Sequence, residues 1–152
     1  MSLCSAVAMM SGCATSAVYE QELAKSNAQT VLAFEETVFN KHDVNEAFEH
    51  YVGPTFAQHQ SRLPQNKAAA IAAYDNLVTH LFPQSRMSVQ RTVAQGNLVV
   101  TQALWQRAAA ASPGVAEVDI YRLENGRIIE HWSVAQDMPQ GKIAVPGEPL
   151  PP

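Results

Sequence analysis

The residues best suited to acid–base chemistry lie near the C-terminal end of the chain, in a stretch whose pattern predicts a β-hairpin. Asp119 lies in its first strand, and His131 and Ser133 lie in its second strand, beyond an Asn-Gly turn signal. A carboxylate or an imidazole can exchange protons near neutral pH, whereas a serine hydroxyl needs a base beside it. We therefore expect Asp119, or Asp119 with His131, to act as a base and His59 to donate to a developing oxyanion.

Cooperation between Asp119 and His131 depends on the register of this hairpin. A two-residue type I′ turn at Asn125-Gly126 places Asp119 opposite Trp132. A three-residue loop with a bulge at the glycine places Asp119 opposite His131. We favour the second register because it separates polar from apolar side chains. One face then carries Asp119, His131 and Ser133, and the other carries Val118, Ile120, Trp132 and Val134.

Structural interpretations of the same residues stay open. His131 can be a buried histidine that donates to Asp119 without a catalytic role, because structural ion pairs also perturb protonation. His59 can line a pocket or lie on the surface, and Trp105 and Tyr121 suit packing. A metal site from His59, His131 and Asp119 has suitable ligand types, but no short ligand spacing supports it.

Three helices are predicted before the strands, from apolar residues at helical spacing. Asp43 and Asn66 are expected to cap the second and third helices, and Pro83 ends the third. Between the second and third helices, residues 55–60 are expected to form a short extended stretch or loop. The predicted helices cover residues 20–41, 44–51 and 68–82.

The second half of the chain alternates apolar and polar residues in four segments separated by turn residues. Helices followed by an antiparallel meander indicate the α+β class, with helices covering one face of a curved sheet. The Pro-rich tail, residues 140–152, cannot extend a central strand. The predicted strands cover residues 87–93, 98–107, 115–124 and 127–137.

The sequence from Val118 to Trp132 resembles the terminal hairpin of the SnoaL-like polyketide cyclase family. Tyr51-Val52-Gly53 followed by Gln58-His59-Gln60 resembles that family's segment of a tyrosine, six variable residues and Gln-His-Asn. The resemblance implies a nuclear transport factor 2-like α+β cone over residues 20–139, with three N-terminal helices on a curved antiparallel sheet around a deep pocket. It also implies a general acid/base carboxylate on the last strand and neither a metal nor an organic cofactor.

The chain departs from the family at the usual catalytic acid, because Ser133 stands where the family commonly has aspartate after Glu-His-Trp. A histidine that often lies on the middle strand is also missing from residues 101–104. The remaining catalytic candidates are Asp119, His131 and His59, with Ser133, Tyr121, Trp132 and Tyr51 as pocket or supporting residues.

Two classes of function follow. The chain is either a cofactor-free aldol cyclase or isomerase acting on an apolar carbonyl compound, or a module that binds an apolar small molecule without turnover. Large apolar residues occur on both strand faces, and relatives of this fold commonly pair through the outer sheet face, so a homodimer is expected. The net charge of -4, from 10 basic and 14 acidic residues, argues against nucleic acid as a partner.

The N-terminal segment, residues 1–19, resembles a bacterial signal peptide. No charged residue precedes Glu20, and a short apolar run leads into Met10-Ser11-Gly12-Cys13, which resembles a lipobox. The basic residues that usually begin such a segment are missing. The pattern predicts that Cys13 is lipidated and tethers the domain to a bacterial envelope membrane; without such processing a cytoplasmic location is expected.

Overall fold

In a computed structural model, three helical segments pack on a five-stranded sheet. The structure describes the backbone of residues 7–107 and 114–138, and side chains from residue 16 onward. The helices are α1 (Val7–Glu35, continued by a π-helical turn, Glu36–Asn40), α2 (Val44–Tyr51) and α3 (Lys67–Asp75, continued by a π-helical turn, Asn76–Leu81). The strands are β1 (Val52–Gln58), β2 (Arg86–Gln95), β3 (Leu98–Gln106), β4 (Val115–Glu124) and β5 (Arg127–Asp137).

Local capping determines where two of the helices begin. The side chain of Asp43 accepts a hydrogen bond from the backbone N–H of Glu46, and that of Asn66 accepts one from Ala69. These bonds satisfy N–H groups that have no partner within the helix, so both predicted caps are confirmed. Helix α1 begins at Val7 rather than at residue 20, since no proline interrupts the intervening residues.

The sheet has the strand order β1-β5-β4-β3-β2, and the four predicted strands form its antiparallel part. The stretch expected to be short or loop-like is the fifth strand, β1, which runs parallel to β5. Pro54 is tolerated there because β1 lies at the edge of the sheet. Helices followed by a curved, open sheet confirm the α+β cone architecture.

An irregularity at the crossing of β1 and β5 helps to position the last hairpin. Ile129 is an extra residue on β5 with no direct partner on β4, which makes it a β-bulge. Strand β1 passes so close that a Cβ atom on Gly53 would lie 2.9 Å from Cγ2 of Ile129. A side chain at position 53 would therefore push β1 away from the bulge.

The core lies between the helices and the inner face of the sheet. In α1, Val31, Phe34, Glu35 and Val38 are buried at spacings of three and four residues. The ring of Phe34 packs edge to face against Tyr121 of β4. The buried face of this helical segment thus carries one charged residue, Glu35, together with the polar residues Asn27 and Thr37.

No helix in the described part of the chain is long and apolar enough to span a membrane. Cys13 falls within α1, but its side chain lies outside the described residues, as do residues 1–6 and the Pro-rich tail of residues 140–152. The lipidation site and the tail stay predictions from the sequence.

Candidate active site

The β4–β5 hairpin has a different register from the one we favoured. The turn is the two-residue type, with Asn125 and Gly126 at φ 52° and 72°, and the bulge lies further along β5. Asp119 therefore faces Ser133 rather than His131, and His131 faces Tyr121. The predicted three-residue loop is therefore wrong. The bulge that shifts the register lies within β5, at Ile129, and not at the turn.

The predicted separation of the two faces is nevertheless confirmed. The observed and favoured registers differ by two residues, and side chains alternate with a period of two, so the same residues share a face. Asp119, His131 and Ser133 lie on the inner face, and Val118 pairs with Val134, as Ile120 does with Trp132, on the outer face.

Asp119 and His131 form a buried diagonal pair across the two strands. His131 Nε2 lies 2.9 Å from Asp119 Oδ1, and both side chains are buried. On the other side of the imidazole, Nδ1 lies 3.4 Å from the Tyr74 hydroxyl, which accepts a hydrogen bond from Gln58 Nε2 at 3.3 Å. The Tyr121 ring stacks on the imidazole with a centroid separation of 4.6 Å. These contacts fix the orientation of His131.

Tyr74 and Tyr121 are donors in this network. Burial raises the pKa of both hydroxyls well above the usual value for tyrosine, with the charge of Asp119 contributing in the same direction. Both therefore keep their protons at neutral pH. With Nε2 of His131 donating to the carboxylate, a neutral imidazole accepts at Nδ1 from the Tyr74 hydroxyl.

A second buried carboxyl group, Glu35 of α1, lies behind this pair. Thr101 and Tyr121 donate to its Oε1 at 2.6 Å and 3.0 Å. Burial raises the pKa of Glu35 to about 7; the Thr101 hydrogen bond opposes that rise, and the charge of Asp119 adds to it. Near neutral pH Glu35 therefore exists in both protonation states.

A cavity of about 380 Å³ opens over Asp119 and His131. Small side chains on the neighbouring strands create the space, since Thr101 and Ser133 flank Asp119. The apolar part of the lining consists of Phe39, Leu63, Leu77, Phe82, Trp105 and Ala135. The polar part consists of Gln60, Arg62, Tyr74, Arg107, Glu117, Asp119, His131 and Ser133. A cavity that combines an apolar wall with several polar and charged groups suits a small organic molecule that carries both apolar and polar parts.

Three buried polar atoms of cavity-lining residues have no hydrogen-bond partner among the described residues. They are Asp119 Oδ2, Trp105 Nε1 and Arg107 Nε. Arg107 also pairs through Nη1 with Asp137 at 3.0 Å, and its guanidinium lies 5.3 Å from the Trp105 ring centroid. A buried polar atom without a partner is costly, so a bound molecule that supplied one would be stabilised.

The structure brings together only part of the set predicted from the sequence. Asp119, His131 and Ser133 line the cavity, and Tyr121 supports His131 from the buried side. His59 is exposed and stacks on Trp132, with ring centroids 4.6 Å apart, outside the cavity lining. Tyr51 is half-buried at the end of α2 and also lies outside that lining. The backbone N–H of His59 donates to the carbonyl oxygen of His131 at 2.8 Å, but the His59 side chain does not lie with those of Asp119 and His131 in the cavity.

Sequence reasoning missed Glu35, Glu117 and Tyr74. The helical spacing of the apolar residues of α1 places Glu35 on the buried stripe. The period of two along β4 places Glu117 on the same face as Asp119. Tyr74 follows Ala70 by four residues on the buried side of α3. If charged and polar residues at these spacings are counted together with the apolar ones, the patterns indicate that all three residues face the interior.

Within residues 7–107 and 114–138, no group of three His, Cys, Asp or Glu side chains is arranged so that it could hold a metal ion.

Comparisons with known proteins agree with this architecture. The family model described as SnoaL-like polyketide cyclase matches residues 29–142. No curated protein sequence gives a significant match.

Similar solved structures include a provisionally assigned SnoaL-like polyketide cyclase from Jannaschia sp. CCS1, with 20% identity and a TM-score of 0.62 over 74% of this chain and 87% of that one. A SnoaL-like protein of unknown function from Burkholderia thailandensis E264 has 13% identity and a TM-score of 0.62 over 75% and 98%. A nuclear transport factor 2-like protein of unknown function from Mesorhizobium loti has 18% identity and a TM-score of 0.61 over 74% and 93%. At these identities the likeness shows the fold alone.

Proposed function

Because the chain belongs to the SnoaL-like polyketide cyclase family, we propose that it is a cofactor-free acid/base enzyme of aldol cyclase or isomerase type, acting on an apolar carbonyl compound. One observation carries the proposal. Asp119 lines the cavity with one carboxylate oxygen held by His131 and the other, Oδ2, without a partner among the described residues. A held carboxylate with an unpartnered oxygen, in a residue that lines a cavity with an apolar wall, suits proton removal.

The reaction begins when Asp119 Oδ2 removes a proton from the carbon beside the carbonyl group. His131 keeps the carboxylate oriented through Oδ1, so the side chain does not rotate away from the substrate. The apolar walls hold the carbon skeleton and exclude water, which strengthens electrostatic interactions in the site. The resulting enolate either attacks a second carbonyl group of the same molecule, whose oxygen then takes the proton from Asp119, or receives that proton from Asp119 at another carbon.

The arrangement also accounts for Ser133 at the family's usual acid position. Asp119 stands directly opposite Ser133 on the same inner face. A carboxylate on β4 at this point reaches the same part of the cavity as one on β5, because opposite Cβ atoms lie about 5 Å apart. Asp119 thus takes the role that the missing aspartate performs in the family.

The test uses β-tetralone, a two-ring ketone with acidic protons beside its carbonyl, in deuterium oxide. We expect the protein to accelerate exchange of these protons, followed by proton NMR. Asp119→Asn should lower the rate by at least about 100-fold, the lower end of general acid–base contributions. The matched control is Glu124→Gln, which removes a carboxylate from an exposed position at the end of the same strand.

Three outcomes separate the hypotheses, provided that circular dichroism shows both variants folded. Loss of exchange in Asp119→Asn alone supports the enzyme. Binding of β-tetralone without any accelerated exchange in the unmodified protein supports the binding module instead. Equal exchange rates in the unmodified protein and Asp119→Asn contradict Asp119 as the base.

We propose a homodimer through the outer sheet face on a separate observation. Val93, Leu98, Val118, Ile120 and Val134 are exposed there, and Val134 is 75% exposed. Adjacent exposed apolar side chains favour association. A monomer in light scattering at micromolar concentration would contradict this proposal.

Lipidation of Cys13 and attachment to a bacterial envelope membrane are proposed from the sequence of residues 1–19 only. Mass spectrometry of the protein from its native host tests this location. An acylated N-terminal Cys13 is expected, and an unmodified chain that begins at Met1 or Ser2 contradicts the proposal.

A further inference from the structure

Glu117 is a second carboxyl group in the same cavity. It lies on the inner face of β4 two residues before Asp119, and both line the cavity. Their Cα atoms are about 6.6 Å apart along the strand, since each residue advances about 3.3 Å. This spacing leaves room for a carbonyl group and its neighbouring carbon between the two side chains.

The neighbours of Glu117 leave it accessible to a ligand. Ala103 of β3 and Ala135 of β5 flank it on either side, so no large side chain covers it. Arg107 is the cation whose charge acts on Glu117, but its ion pair is with Asp137.

We propose that Glu117 is a second catalytic residue, a neutral carboxylic acid that donates its proton to the carbonyl oxygen of the substrate while Asp119 removes a proton from the adjacent carbon. The inference rests on the proposed function, because it assigns a partner to the base of the same site. It also specifies the substrate as a ketone or related compound whose carbonyl oxygen is directed toward Glu117.

The electrostatic surroundings favour the neutral form of Glu117. Burial raises its pKa to about 8, and the charges of Asp119 and Glu35 add to this effect while Arg107 opposes it. The cavity lining also includes Arg62, Tyr74 and His131. At pH 7 most molecules therefore carry the proton on Glu117. A carboxyl group that keeps its proton at neutral pH can serve as an acid beside a carboxylate that serves as a base.

The step balances without another reactant. The proton leaves carbon for Asp119 as the C–H electron pair forms the carbon–carbon double bond, and the Glu117 proton moves to the oxygen to give a neutral enol. In the reverse direction the enol returns its proton to Glu117 while Asp119 delivers one to carbon. If Asp119 delivers its proton to a different carbon, the product is an isomer.

The first test is the pH profile of β-tetralone exchange, corrected for exchange without protein. In the unmodified protein the rate should fall above about pH 8 as Glu117 loses its proton. Glu117→Ala should lower the rate at pH 7 by at least about 100-fold, as loss of an oxyanion donor does. Glu117→Gln keeps an N–H donor, so its exchange rate at pH 7 should lie between the rates of the unmodified protein and Glu117→Ala. Because glutamine does not titrate, this rate should not fall above pH 8. Glu124→Gln is again the exposed control.

The second test does not depend on activity. Carbon-13 NMR of protein labelled at the glutamate side-chain carboxyl carbons follows Glu117, identified by the resonance that disappears in Glu117→Gln. We expect this carboxyl group to titrate near pH 8. A titration in the usual range for glutamate overturns the inference even if exchange is absent.

The two proposals fail in different ways. Absent exchange in the unmodified protein contradicts the proposed function and, with it, the catalytic role of Glu117. Exchange that depends on Asp119 but is unaltered in rate and pH profile by Glu117→Gln contradicts only the inference about Glu117.

Discussion

The two faces of the β4–β5 hairpin differ in a way that reverses the usual distribution of residues. The inner face buries Asp119 and His131 within the protein, whereas the outer face exposes Val118, Ile120 and Val134. Burying charge and exposing apolar area both cost stability relative to the opposite arrangement. This difference fits the two proposals made above, a ligand at the inner face and a second copy of the chain at the outer face.

The largest expected effect follows removal of the imidazole in His131→Ala. Asp119 then lies buried without its hydrogen-bond donor, and breaking a buried pair by removing one member typically costs about 3–5 kcal/mol. The free energy of unfolding from urea titration measures the loss. The double variant Asp119→Asn/His131→Ala should recover part of it because no unpaired charge remains. A double variant as unstable as the sum of the two single variants would contradict this explanation.

The second prediction concerns the pH dependence of stability in Glu35→Gln. Folding raises the pKa of Glu35 from 4.5 to about 7, so the folded state binds the proton more tightly than the unfolded state. The stability of the unmodified protein should therefore decrease as pH rises from about 4.5 through 7, by up to about 3 kcal/mol.

Glutamine keeps an oxygen that accepts from Thr101 and Tyr121 but cannot ionise. The variant should therefore match the unmodified protein near pH 4.5 and be more stable at pH 8, as measured by urea unfolding at both pH values. Glu22→Gln, at an exposed position of the same helix, is the control. Parallel stability profiles for Glu35→Gln and the unmodified protein contradict the prediction.

The third prediction compares the same substitution at two neighbouring positions of β5, one on the inner face and one on the outer face. Ala135 lines the cavity beside Glu117, whereas Gln136 is exposed on the other face. In Ala135→Phe the ring occupies ligand space, and we expect the affinity for β-naphthol, an enol analogue of β-tetralone, to fall at least about tenfold, or about 1.4 kcal/mol. Gln136→Phe should leave it unchanged. Titration calorimetry measures both, and equal affinities contradict the position of the ligand site.

Some parts of the fold that local chemistry determines could be predicted from the sequence. Asp43 and Asn66 cap helices through bonds to residues three positions away. The two-residue turn is local as well, because the Asn125-Gly126 pair adopts positive φ angles readily, but we favoured the three-residue loop, and that prediction is wrong. Which inner-face residues belong together followed from the alternation of side chains.

The parts that were missed depend on contacts between distant segments. Strand β1 contains Gly53 and Pro54, which weaken the local strand signal, and its partner β5 lies more than 70 residues away. The bulge at Ile129 lies where β1 passes β5, so the sequence of the hairpin alone does not reveal it. Burial of Glu35 depends on Thr101 and Tyr121 of the sheet, because both donate hydrogen bonds to its carboxyl group.

The smallest expected effect on the fold comes from Val134→Lys on the outer face. Val134 is 75% exposed, so lysine removes little buried area within one chain, and unfolding of the monomer should change by no more than about 0.5 kcal/mol. If the outer faces of two copies pack together, the same substitution places charges in an apolar interface and should shift the mass in sedimentation toward the monomer. Gln136→Lys adds the same charge on the same face, at a position that is already polar, and should have a weaker effect. An unchanged mass in Val134→Lys would show that Val134 is not part of an interface, and a large loss of monomer stability would show that the two faces are less distinct than their burial indicates.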